Sequence, residues 1–175
     1  MYKTKKIVTL GLFTALALVV YIVEAQIPVP VPIPAVKLGL ANVISLLVLM
    51  IIGWKEALFV VIIRTILGSI FTGGFSAFLF SLCGALFSNI VMILLYQYAR
   101  DYISVYIISI IGAIFHNAGQ LLVASIIIQN MKIYLYAPVL LISGIITGFF
   151  VGLAAQFSYN HLKKFDTLLF LYKEK

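Results

Sequence analysis

A chain of 175 residues that is 64% hydrophobic and only 10% charged is no ordinary soluble domain; those carry charge on about a quarter of their residues. Its formal charge of +7 would suit nucleic acid, but the basic residues fall where membrane topology places them, so that partner is excluded. One cysteine, Cys83, rules out an intramolecular disulfide and any cysteine-rich metal or cluster site, and reads as a small packing residue.

A bilayer crossing takes about 20 apolar residues. In chain order the apolar stretches are 7–23, 38–52, 56–71, 76–96, 102–128 and 136–159. The expectation is an all-α integral membrane protein, a six-transmembrane-helix bundle with tilts that differ between short and long members. Residues 1–175 then form a single polytopic membrane domain, with no room for a soluble one. With the N-terminus in the cytoplasm, nine basic residues fall inside, among them Lys3, Lys55, Arg100 and Lys163, and only Lys37 and Lys132 fall outside. That bias predicts both termini in the cytoplasm and a multi-pass protein of the plasma membrane. The first stretch follows three lysines but has no small-x-small cleavage site, and is expected to remain as an uncleaved helix.

Between the first two stretches lies Pro28-Val-Pro-Val-Pro-Ile-Pro34. Alternate prolines enforce extended geometry, and seven residues of polyproline II span about 22 Å. The strap reads either as a rigid interfacial connector or as a lid over a binding site. Thr72-Gly-Gly-Phe75 is a glycine turn between the third and fourth helices. Helix association in lipid relies on small residues. Gly144, Gly148 and Gly152 repeat at four-residue spacing, as do Ser81 and Ala85, with Ser88 close by; Gly11 and Ala15 form a similar pair in the first helix. Such stripes mark internal packing, or, for the first helix, docking of another membrane subunit.

Intramembrane polar residues are expensive and can be weighed singly. Arg64 lies about 13 Å beyond Lys55 on helical rise, near the midplane. A guanidinium there costs roughly 2.5–3.5 kcal/mol on lenient scales, so it marks a partner, a watery cavity or a ligand. His116 and Gln120 share one face of the fifth helix, one turn apart, while Asn117 points about 100° away. Asn42 is expected one turn inside the second helix, and Glu24 and Lys37 flank the strap. Together Arg64, His116, Asn117, Gln120, Asn42, Lys37 and Glu24 would line a ligand pocket open to the outer face. The bland reading of each is satisfaction of a neighbouring helix; Asn42 and Asn89 in particular suit interhelical hydrogen bonds. Catalytic constellations are missing: no aspartate cluster for Mg²⁺ on a diphosphate, no Walker A sequence, no HExxH, no CxxC and no Gly-x-Ser-x-Gly. The chain is therefore expected to be no enzyme, with no cofactor and no metal. A Glu24–His116 acid/base pair is placed last, since helical rise sets the two more than 10 Å apart in depth.

Pro34-Ala-Val-Lys-Leu-Gly-Leu-Ala-Asn42, Arg64-Thr-Ile-Leu-Gly-Ser69, Ser81-Leu-Cys-Gly-Ala-Leu-Phe-Ser88 and Gly112-Ala-Ile-Phe-His-Asn-Ala-Gly-Gln120 resemble the Gx transporter family, whose members are often labelled heptaprenyl diphosphate synthase component I. That family is similar in size and plan to the substrate-binding (S) components of energy-coupling-factor transporters. The resemblance implies capture of a small organic solute, anionic or isoprenoid- or vitamin-like, from the outer face. It also implies a transmembrane T subunit with two ATPases, met through Gly11 and Ala15. The synthase label implies a non-catalytic membrane accessory subunit of a polyprenyl diphosphate synthase or of a quinone or redox complex.

Overall fold

The structure is a computed structural model that describes residues 2–27, 37–72 and 74–164. Among them are six α-helices and no strand: α1 (Tyr2–Glu24), α2 (Asn42–Ile51), α3 (Trp54–Thr72), α4 (Gly74–Tyr98), α5 (Val105–Ile128) and α6 (Ala137–Lys164). A 3₁₀ stretch, Met131–Tyr136, leads into α6. The proline strap at 28–34 and the basic residues Lys173 and Lys175 lie outside the described residues.

Four segments are long and apolar enough to cross a membrane: Thr4–Glu24, Gly74–Tyr98, Val105–Ile128 and Met131–Lys164. The chain is a multi-pass membrane protein, and the outer faces of its helices fit that solvent. Ile7, Val8, Leu12, Leu16, Val19 and Val23 of α1 are exposed, whereas Phe13, Ala17, Tyr21 and Glu24 of the same helix turn inward at spacings of four, four and three. In water such a surface would aggregate; in lipid it has no penalty. α3 is 19 residues long but carries Lys55, Glu56 and Arg64, so its apolar character is interrupted. Glu56 bonds Lys6 at 2.5 Å, tying α3 to the start of α1.

α1, α3, α4, α5 and α6 pack in that order, and α2 inserts among them, touching α1, α3, α4 and α6. Burial follows: Asn42 and every residue from Ser45 to Ile51 are buried. Ten residues rise about 15 Å, half a hydrocarbon core. The stretch expected to be helical from residue 38 starts four residues later, and the cause is local. Gly39 has φ +85°, and the amides of Gly39 and Ala41 both donate to the Glu24 carboxylate. Residues 37–41 are therefore non-helical, with Lys37, Gly39 and Ala41 buried and the side chains of Gln120 and Glu24 accepting from their amides.

The small-residue stripes of α4, α5 and α6 are internal contacts. A Cβ on Gly148 would sit 2.7 Å from Ile110 Cα, and one on Gly152 2.8 Å from Tyr106 Cα. At Gly119 it would meet Gly84 Cα and the Cys83 carbonyl at 3.0 Å. α5 thus lies backbone to backbone against α6 on one side and α4 on the other. Gly11 is the exception, with nothing within 4 Å of its notional Cβ.

Candidate functional site

The break before α2 organises the polar residues. Glu24, at the last turn of α1, holds the amides of residues 39 and 41. Asn42, the first residue of α2 rather than one turn inside it, faces two helices at once. Its Oδ1 accepts from Arg64 Nη2 of α3 at 2.7 Å, and its Nδ2 donates to Ser88 Oγ of α4 at 3.2 Å. On the α5 side, Gln120 Oε1 accepts from the backbone amide of Lys37 at 3.1 Å, and Gln120 Nε2 lies 2.8 Å from His116 Nε2. Lys37 Nζ sits 3.2 Å above the centre of the Tyr21 ring, and Tyr21 donates its hydroxyl proton to Ser81 Oγ at 2.8 Å.

Small residues make this assembly possible. Gly68 leaves the space that the Tyr21 ring fills, and Gly84 leaves space for the His116 ring and the Gln120 side chain. A Cβ on Gly39 would lie 3.1 Å from both Asn42 Nδ2 and His116 Cδ2. Gly39 is thus bonded to Glu24 and packed on His116, and so bridges the end of α1 and the middle of α5.

Every charged member is buried: Arg64 is 3% exposed, Glu24 3% and Lys37 6%, and His116 is 4% exposed. The charges act on one another through space, Glu24 attracting Arg64 and Lys37, which repel each other. Among the described residues the guanidinium makes one hydrogen bond, to the neutral Asn42 amide, and its Nε has no partner. The His116 ring packs against the Gly84 backbone, which it also meets as a hydrogen-bond partner.

Six of the seven expected ligand residues come together in this way: Arg64, His116, Gln120, Asn42, Lys37 and Glu24. Asn117 does not join them. It faces α6 and donates Nδ2 to the Leu140 carbonyl at 2.6 Å. Asn89 bonds within its own helix, to the Ala85 carbonyl at 2.9 Å, whereas Asn42 is an interhelical bond-former as expected. Tyr21 and the hydroxyls of Ser81 and Ser88 complete the cluster. Tyr21 was legible as the residue one turn before Glu24 on the inward face of α1. Gly11 and Ala15 lie apart on the exposed side of α1.

A crevice lined by Gly39, Asn42, Ser88, Ser109 and Thr147 leads from the cluster toward α6 and is too tight to admit water. A wider cleft of about 490 Å³ lies at the opposite end, among Tyr96, Arg100, Asp101, Gln156 and Tyr159, and shares no residue with the cluster. No group of three histidine, cysteine or acidic side chains suited to a metal ion occurs among the described residues. The family profile described as heptaprenyl diphosphate synthase component I matches residues 13–158. No curated protein and no solved structure matches the chain.

Proposed function

The chain belongs to the heptaprenyl diphosphate synthase component I family, and we propose that it is a solute-binding membrane component, similar to the S components of energy-coupling-factor transporters. In this reading six helices cross the plasma membrane with both termini in the cytoplasm. A small organic solute, anionic or isoprenoid- or vitamin-like, enters from the outer face, and the protein performs no chemistry on it. The carrying observation is Arg64, a buried guanidinium whose single described hydrogen bond goes to a neutral amide and whose Nε–H has no acceptor. A buried cation left in that condition is costly, and an anionic solute removes the cost. The exposed, apolar face around Gly11 and Ala15 supports docking of a transmembrane T subunit with two ATPases.

The family description favours a second reading, a non-catalytic membrane subunit of a polyprenyl diphosphate synthase or of a quinone or redox complex. The two separate cleanly. Native mass spectrometry of the protein released from its own membrane should show one solute per chain, lost in Arg64→Ala while the variant still melts cooperatively. A ligand-free protein that instead carries a soluble enzyme, with binding broken by changes at Lys55 or Arg100 rather than Arg64, establishes the second reading.

A further inference from the structure

The proposed solute can be narrowed by counting charges and hydrogen-bond partners. The buried ionisable side chains among the described residues are Glu24, Lys37, Arg64 and His116. Residues 28–36, the one stretch between α1 and α2 outside the described set, contain no ionisable side chain, so the sum does not depend on them. Lys37 Nζ lies 3.2 Å over the centre of the Tyr21 ring, the geometry of an ammonium–π contact.

His116 is neutral by hydrogen-bond logic. The Gln120 carbonyl oxygen is committed to the Lys37 amide, which leaves its NH₂ group facing His116 Nε2. An amide nitrogen only donates, so Nε2 must accept and the ring proton resides on Nδ1. Two cations against one carboxylate leave the cluster with a single positive charge.

The hydrogen-bond ledger points the same way. Both Glu24 oxygens are taken by the amides of Gly39 and Ala41, Gln120 Oε1 by Lys37, and Asn42 Oδ1 by Arg64. Of the atoms left over, Arg64 Nε–H is a donor only, while the hydroxyl of Ser109, beside Asn42 in the crevice, can donate or accept. Of the unpartnered buried acceptors, Asn117 Oδ1 is on the side chain that faces α6. Asn89 Oδ1 is on a residue about 100° around α4 from Ser88. A ligand that fits brings one negative charge and an acceptor for Arg64 Nε–H.

We infer that the buried cluster takes an organic monocarboxylate and discriminates against diphosphates. This rests on the solute-binding reading above. A carboxylate has one charge and acceptor oxygens and matches one net positive charge with a spare guanidinium N–H donor. A diphosphate brings two or more negative charges into a site with one positive charge, and the described residues hold no acidic or histidine cluster to bind a neutralising metal.

The test uses the full chain in nanodiscs with its retained solute identified by native mass spectrometry. Expected is one monocarboxylic acid per chain. That free acid should compete for its own site about tenfold to a hundredfold better than its primary amide, which lacks the charge. Inorganic diphosphate should not compete. Glu24→Gln raises the site to two positive charges and should shift preference toward divalent anions, with inorganic diphosphate becoming a competitor. A retained diphosphate or an uncharged solute, or an amide that competes as well as its acid, overturns the inference while leaving solute binding intact. A chain that retains no solute overturns both. The competition series needs no variant, so poor folding of Glu24→Gln leaves the proposal testable.

Discussion

Glu24 does for residues 37–41 what carbonyls do inside a helix, and that role can be measured. In Glu24→Ala the amides of Gly39 and Ala41 remain buried but lose their acceptor. A hydrogen bond to a charged group contributes about 1.5–3 kcal/mol, so losing both costs about 3–6 kcal/mol. Arg64 and Lys37 also lose their counter-charge, which acts in the same direction. Glu24→Gln keeps one acceptor oxygen, and neutral bonds are about half as strong as charge-assisted ones, so its cost is about 2 kcal/mol. For a chain of this size 1 kcal/mol moves the melting point by about 2–4 °C, giving a drop of roughly 6–24 °C for alanine and about 4–8 °C for glutamine. Thermal unfolding in detergent, followed by the fluorescence of Trp54, reads both. An alanine variant that melts within about 2 °C of the native protein, or a glutamine variant as damaged as the alanine one, refutes the capping role of this carboxylate.

Gly148→Leu drives a side chain into the Ile110 backbone, 2.7 Å from the notional Cβ, and should destabilise the α5–α6 contact by about 1–3 kcal/mol, read as a lower melting point. Gly11→Leu meets nothing within 4 Å and should leave melting unchanged while abolishing co-purification with a membrane partner. Asn117→Ala removes the bond to Leu140 and should cost about 1 kcal/mol in melting, with solute retention by native mass spectrometry unaltered.

Much of the cluster was legible because polar groups in a bilayer are too costly to be incidental. Arg64, His116 and Gln120 could be found by depth and helical phase alone, and the glycine stripe of α6 by its spacing. Depth failed where the chain stops being helical. Helical rise assumes that position along the sequence maps to position along the membrane normal, and residues 37–41, which are not helical, fall outside that map. Asn42 is thus the first residue of its helix rather than one turn inside it, and Glu24, at the outer end of α1 on helical rise, turns its carboxylate into the protein. The local signal was present in Gly39, whose φ of +85° suits glycine and ends a helix pattern. The continuous apolar character of the segment outweighed it. Phase did separate Asn117 from the His116–Gln120 stripe, and the bond to Leu140 is what that separation looks like in the fold.

Arg64 could be argued to be a structural tie between α3 and α2, and the magnitudes speak against it. A guanidinium at mid-helix depth costs roughly 2.5–3.5 kcal/mol. Its bond to Asn42 returns about 1.5–3 kcal/mol, and Glu24 is shared with Lys37 while both its oxygens serve backbone amides. The two sides nearly cancel, so the arginine adds little to the stability of the solute-free protein. Arg64→Met fills similar space with an apolar chain, leaves Glu24 and Lys37 with no net charge, and orphans only Asn42 Oδ1. The penalty for that orphan, about 1–3 kcal/mol, is offset by removal of the buried charge. Melting should therefore stay within about 8 °C of the native protein, with solute retention lost. A structural ion tie broken on one side costs about 3–5 kcal/mol instead. A methionine variant that melts more than about 10 °C lower, yet still retains solute, would assign Arg64 to the fold and leave the carboxylate site without its centre.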